Sequence, residues 1–261
     1  MTKTMINMRK FIVIIAILAV AGGCNKNTGQ THQEPPEPDV SEKIPIKISV
    51  SPFTKVTDTS YESGDKVGLY VVNSGSALVS TGNHADNIAF TFTGSTWDGA
   101  SDLYWKDQTT AANFYCYYPY VSGISNVKAI PFTVKTDQST IEGYKASELL
   151  WGGKSGVSPT SDVVEITTTH RMSNLLVYIL PGNGYTAETI REEGIQVTIN
   201  NLKVNATLDA ENGTVTASGS AADITPYPVA LPFLPGLFLC GITLSQVFPF
   251  PQLPSSRWGF P

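Results

Sequence analysis

From Lys43 to Ile224 the chain is punctuated every few residues by Gly, Pro, Asn, Asp or Ser, and between these breaks its apolar residues alternate. That pattern leaves no room for a helix of several turns and restricts the chain to short strands. Ile44, Ile46, Ile48 and Val50 alternate with Pro45, Lys47 and Ser49, so one face of this strand is buried. Pro45 has no N–H for a ladder, which places the strand at a sheet edge. Lys66 to Val72 follows a Ser63-Gly64-Asp65 turn, Ile88 to Thr93 alternates, and Ala112 to Tyr118 is an aromatic strand stopped by Pro119. Ile130 to Val134, Val163 to Thr169, Leu175 to Leu180, Ile195 to Asn200 and Lys203 to Leu208 continue the series. Leu175 to Leu180 is almost wholly apolar, as a central sandwich strand would be. Asn212-Gly213 marks a hairpin between Val204–Leu208 and Thr214–Ala217. Single helical turns are expected only at Ser147–Trp151 and Ala187–Glu193. About ten short strands with this punctuation predict an all-β, antiparallel β-sandwich.

The N-terminus has a different texture. Lys3, Arg9 and Lys10 precede an apolar run from Phe11 to Val20, then Ala21, Gly22, Gly23 and Cys24. The run is too short to span a bilayer comfortably. With small residues before a cysteine, it reads as a secretory signal at 1–23 whose cleavage leaves Cys24 for lipidation. Residues 24–42 carry Gly29, Pro35, Pro36 and Pro38 among polar residues and read as a flexible tether. The folded domain is expected over 43–224. Beyond it, Arg257 is the only charge between Val229 and Pro261, and prolines recur at 232, 235, 249, 251, 254 and 261. No strand of normal length is expected between them. Residues 225–261 therefore read as a Pro/Phe/Leu-rich tail outside any domain, a frameshifted or truncated end.

The formal net charge of −5, with no Lys/Arg cluster after Lys10, gives no electrostatic footprint for nucleic acid. Apart from Cys24 there are Cys116 and Cys240; they could pair in an oxidising compartment, but Cys116 lies in an aromatic run and reads as a buried free thiol. His32 falls in the tether, His84 in a polar loop, and His170 between two strands beside Arg171, with no metal-ligand spacing among them. Gly152-Gly153-Lys154-Ser155-Gly156 lacks the preceding glycine of a phosphate loop. Glu192-Glu193 reads as solvated charge. No catalytic, cofactor or metal residues are identified, and an enzyme is not expected. Tyr115, Tyr117, Tyr118 and Tyr120, with Trp97, Tyr104 and Trp105, read first as core. They also motivate an alternative function, a surface glycan-binding lipoprotein, with Trp97 and Trp105 as the residues to test.

Several segments together carry a resemblance: Thr54-Lys55, then Tyr61-Glu62-Ser63-Gly64-Asp65-Lys66-Val67-Gly68-Leu69-Tyr70; Leu103-Tyr104-Trp105; Phe114-Tyr115-Cys116-Tyr117-Tyr118-Pro119; Leu149-Leu150-Trp151-Gly152; and His170-Arg171-Met172-Ser173-Asn174-Leu175. In this order, over about Ile44 to Ile224 and behind a lipoprotein signal, they resemble the fimbrillin family, lipoprotein pilins and pilus-associated proteins of Bacteroides-type bacteria. The resemblance implies transthyretin-like sandwiches, here a pilin-type N-terminal domain with an incomplete C-terminal part. It implies a cell-surface, outer-membrane location through the lipid anchor, and adhesion with a host or glycan ligand. It further implies partners in other pilus subunits, joined by strand exchange after a protease removes the first strand. Ile44, Ile46, Ile48 and Val50 are then the displaceable strand, and Lys43, Lys47 and Lys55 the candidate processing sites.

Overall fold

The computed structural model describes residues 43–52, 60–186, 188, 189, 192, 194, 196–230 and 238–244. Among these the chain forms, in order, β1 (Lys47–Pro52), β2 (Lys66–Asn73), β3 (Ala85–Phe92), β4 (Trp97–Gly99), β5 (Ala112–Tyr118), β6 (Ile130–Thr133), α1 (Ile141–Lys145), β7 (Leu150–Val157), β8 (Val163–His170), β9 (Ser173–Ile179), β10 (Ile199–Leu208), β11 (Val215–Ile224), β12 (Tyr227–Ala230) and β13 (Phe238–Leu244). The largest sheet has the order β1-β8-β7-β5-β2-β3-β4; two three-stranded sheets are ordered β11-β10-β6 and β12-β13-β9. Every pairing is antiparallel except β1 with β8, which runs parallel from Lys47↔Val163 to Pro52↔Thr168.

The large sheet wraps around a first core. Ile46, Ile48 and Val50 meet Val67, Leu69 and Val71 of β2, Phe114 and Cys116 of β5, Val164 and Ile166 of β8, and Trp97. The wrapping brings the two edge strands together, since Trp97 Nε1 donates to Val50 O at 3.2 Å. On the opposite face of the sheet, Tyr70 and Val72 of β2 and Tyr117 of β5 pack on Ile130, Phe132, Leu202, Val204, Leu208 and Ile224 of the β6–β10–β11 layer, forming a second core. The molecule is thus the β-sandwich expected, with its central strands covered on both sides.

Local chemistry explains where the elements start and stop. Gly64, at φ +100°, makes the turn into β2, and Asp65 Oδ2 accepts from Glu62 N at 2.7 Å. The helical turn expected at Ser147–Trp151 lies earlier. Thr140 caps α1, its Oγ1 accepting from Gly143 N at 3.2 Å, and Leu150 and Trp151 open β7. Gly152 suits a strand because a Cβ there would sit 2.2 Å from Thr167 O on β8. The stretch that superficially looks like a phosphate loop is therefore the middle of β7. Lys203–Leu208 forms the second part of β10, and of the strand expected at Ile195–Asn200 only Ile199 and Asn200 join it, residues 196–198 being non-strand; the register of β10 is irregular near Asn201, which has φ 62°. The Asn212-Gly213 hairpin joins β10 to β11, closed by Asp209 N to Thr214 O at 2.9 Å. In the second expected helical turn, Glu188, Thr189 and Glu192 are helical.

Two expectations are corrected. Leu175–Leu180 does not supply a central sandwich strand: β9 lies at an edge of the β12–β13–β9 sheet, with Leu175 and Leu176 37% and 45% exposed. And β character does not stop at Ile224. β12 and β13 pair from Tyr227↔Gly241 to Ala230↔Phe238, and β13 pairs β9 along its length. Phe238–Leu244 lies in the longest proline-free interval of that region, between Pro235 and Pro249, and has the room for a ladder that the proline count obscures.

Candidate functional site

The candidate site is the β1 edge. Parallel pairing to β8 satisfies one side of the strand, and its alternating pattern sends Ile46, Ile48 and Val50 inward at 5–6% exposure while Lys47 and Ser49 stay exposed. Ile44 packs against the same core half-buried. The residues before β1 are held by the 103–105 segment: Ile46 N donates to Leu103 O at 2.8 Å, and Trp105 N donates to Ile44 O at 2.9 Å. Pro45 bridges Tyr104, and Lys43 Nζ stands 5.8 Å from the centre of the Tyr104 ring. A cavity of about 320 Å³ separates the strand from the far edge of the sheet, lined by Pro45, Ile46, Phe90, Trp97 and Leu103 among others. Chemically the site offers two things: a row of aliphatic sockets and a main-chain edge on β8. Together these are the elements of strand addition.

Of the residues singled out from sequence, Ile44, Ile46, Ile48 and Val50 thus come together in one row. Lys47 is exposed on that strand and Lys43 is exposed ahead of it. Cys24 and Lys55 lie outside the described residues. Trp97 and Trp105 are 9% and 5% exposed, and Trp105 Nε1 donates to Thr160 O at 3.0 Å, so neither indole presents a face to a sugar. Tyr117 is buried too, its hydroxyl donating to Asn87 Oδ1 at 2.7 Å. Cys116 is a free, fully buried thiol whose pKa burial pushes far up. His84 Nε2 donates to Tyr104 O at 2.6 Å. His170 Nδ1 lies 3.3 Å from Glu148 Oε2, and this hydrogen bond raises the imidazole pKa.

Two of the sequence segments meet in the structure. Trp151 Nε1 donates to Ala210 O at 2.8 Å, Arg171 stacks over the indole with Cζ 4.6 Å from the ring, and a Cβ on Gly213 would fall 2.5 Å from the same ring. This knot anchors β7 and the start of β9 to the β10–β11 hairpin. The Leu149–Gly152 and His170–Leu175 segments, far apart in sequence, thus share a single tryptophan knot.

A model of the family described as fimbrillin-like matches residues 54–235. The chain belongs to the fimbrillin-like family. Fim1C of Bacteroides ovatus, named as a candidate fimbrium tip subunit, is 31% identical over 155 residues, covering 53% of this chain and 28% of that protein. Fim1C of Bacteroides uniformis, named as a candidate fimbrium subunit, is 25% identical over 264 residues, covering 96% and 84%. This fimbrillin-like chain therefore spans under a third of the B. ovatus relative and most of the B. uniformis one. Solved structures of candidate cell adhesion proteins from B. uniformis and B. ovatus superpose with TM-score 0.57 at 19% and 18% identity, covering 77% of this chain and 75% and 77% of theirs, and share its fold.

Proposed function

We propose that this protein is a surface lipoprotein of a fimbria, a pilus subunit or a pilus-associated adhesion protein, and that β1 is the strand it exchanges. In this reading residues 1–23 direct export, Cys24 is lipidated and holds the chain to the outer membrane at the cell surface, residues 24–42 are the tether, and the folded domain begins at 43. The observation that carries the reading is the β1 row. It is an edge strand whose whole inward face is apolar, so its removal would leave an aliphatic groove beside an unpaired β8 edge. A strand of a neighbouring subunit with the same alternation would fill that groove.

The three candidate cleavage sites have unequal consequences. A cut after Lys43 frees the tether and leaves the strand in place. A cut after Lys47 releases only Ile44 and Ile46. A cut after Lys55 releases all four sockets' occupants, and it is the one that suits exchange. The test is limited trypsin digestion of the purified chain and of Lys55→Gln, followed by a synthetic peptide spanning 43–52. The expected result is that digestion removes β1 from the parent but not from Lys55→Gln, and that the cleaved domain captures the peptide. A cleaved domain that takes up no peptide, or that unfolds outright once the strand leaves, overturns strand exchange while leaving family membership intact.

A further inference from the structure

A second, larger cavity of about 680 Å³ is walled by the ends of β1, β5, β7 and β12, by the segment leading into β2 and by α1, and none of Ile44, Ile46, Ile48 and Val50 lines it. Its size falls within the range of small-ligand sites. Four tyrosines line it: Tyr61, Tyr118, Tyr144 and Tyr227. Each ring is partly exposed. Tyr61 and Tyr118 meet edge-to-face at 5.6 Å, which fixes the inner wall; Tyr144 and Tyr227 lie 5.6 Å apart with their planes 31° from parallel.

The charges around these rings are already answered from within the wall. Glu62 pairs with Lys145, Glu148 with His170, and Asp65 accepts from the Tyr118 hydroxyl at 3.1 Å and from Glu62 N. A free anion would meet three carboxylates, and a free cation would have to compete with Lys145. What the wall offers instead is flat aromatic surface and carboxylate oxygens with lone pairs to spare, which match a neutral guest with many hydroxyls.

We infer that the Tyr144–Tyr227 cavity is a binding site for a neutral oligosaccharide, whose ring faces rest on these two tyrosines and whose hydroxyls bond to the carboxylates behind them. Pro52, the last residue of β1, lines the site, so binding is tested on the full chain with β1 in place. It differs from the sequence-based alternative, because the tryptophans that motivated that alternative are buried.

The experiment is calorimetric titration of the full chain with maltotriose, cellotriose and triacetylchitotriose, with Nα-acetyl-lysine amide as a cationic control. At least one saccharide is expected to bind with one-to-one stoichiometry. Tyr144→Ala and Tyr227→Ala are each expected to weaken it about ten-fold, roughly the loss of one ring contact. Tyr144→Phe, which keeps the ring and the fold, should retain affinity within about three-fold. Should an alanine variant fail to fold, chemical-shift changes on the parent must fall on Tyr144, Tyr227 and Glu148. Binding of none of the three saccharides, binding that survives both alanine variants, shifts mapping elsewhere, or tighter binding of the lysine amide each overturns the inference.

Discussion

Strands β2 and β9 have almost the same texture in sequence and opposite fates in the fold. Both are short, nearly continuous apolar runs. In β2, Val67, Leu69 and Val71 face one core, Tyr70 and Val72 face the other, and none is more than 1% exposed. In β9, Leu175 and Leu176 remain 37% and 45% exposed at a sheet edge. An apolar run states how much cover a strand can use. Whether cover arrives depends on the layers that pack on it, and those are assembled from residues far away in sequence. β2 sits where the large sheet is clasped by its own wrapped edges on one side and by β6–β10–β11 on the other.

This contrast should be largest in truncation. Leu69→Ala is expected to cost about 3 kcal/mol, because a fully buried side chain leaves a cavity behind, whereas Leu176→Ala should cost no more than about 0.5 kcal/mol. Urea unfolding of the two variants measures both, and equal losses would break the comparison. Next in size, Gly68→Ala is expected to cost about 2 kcal/mol, since the added carbon would fall 2.3 Å from the Tyr117 ring on the neighbouring strand. That result would sharpen the point that β2 is fitted, not merely apolar.

Tyr70→Phe should change stability by less than about 0.5 kcal/mol or raise it, because the buried Tyr70 hydroxyl has no hydrogen-bond partner among the described residues and burial holds its pKa up at about 12. A loss above 1 kcal/mol would point to a partner for that hydroxyl (about 1 kcal/mol being the worth of one bond). The smallest effect is expected beside β9. The His170 pKa is raised by its bond to Glu148, so the pair stabilises the fold below the imidazole's unfolded value of about 6.5, and that contribution is lost as pH rises through the higher folded value. The pair is partly solvent-exposed, so His170→Asn should flatten the stability–pH profile by no more than about 0.5 kcal/mol.

The same contrast tells which parts of the fold were legible beforehand. Strands with strict alternation, β1 above all, and strands bounded by Gly-Asp or Pro, such as β2 and β5, could be read directly, because period and punctuation are local properties. β4 and β7 could not. β4 has three residues, and β7 is built around Gly152 and Gly153, whose role is to let β8 and the Trp151 ring approach, a need visible only once the neighbours are placed. β12 and β13 were hidden by the prolines around them. At the β1 site the buried row was legible, and its two clasps were not: the Leu103–Trp105 backbone and the Trp97 indole reach it from more than forty residues away. Of the tyrosine cavity only Tyr118 stood in the aromatic set read for glycan binding, and nothing in sequence joined it to the other three, because the four rings come from four separate segments.

The parallel pairing of β1 with β8 also sets an order of events. Lys47 finds its partner at Val163, so the first strand of the domain cannot dock until most of the domain exists. Closing so long a loop is slow compared with forming the hairpins between them. The remainder of the large sheet is therefore expected to assemble while the β8 edge is still vacant. A vacant edge would then be an ordinary stage in the life of every copy of this chain, reached during its own folding before any protease acts.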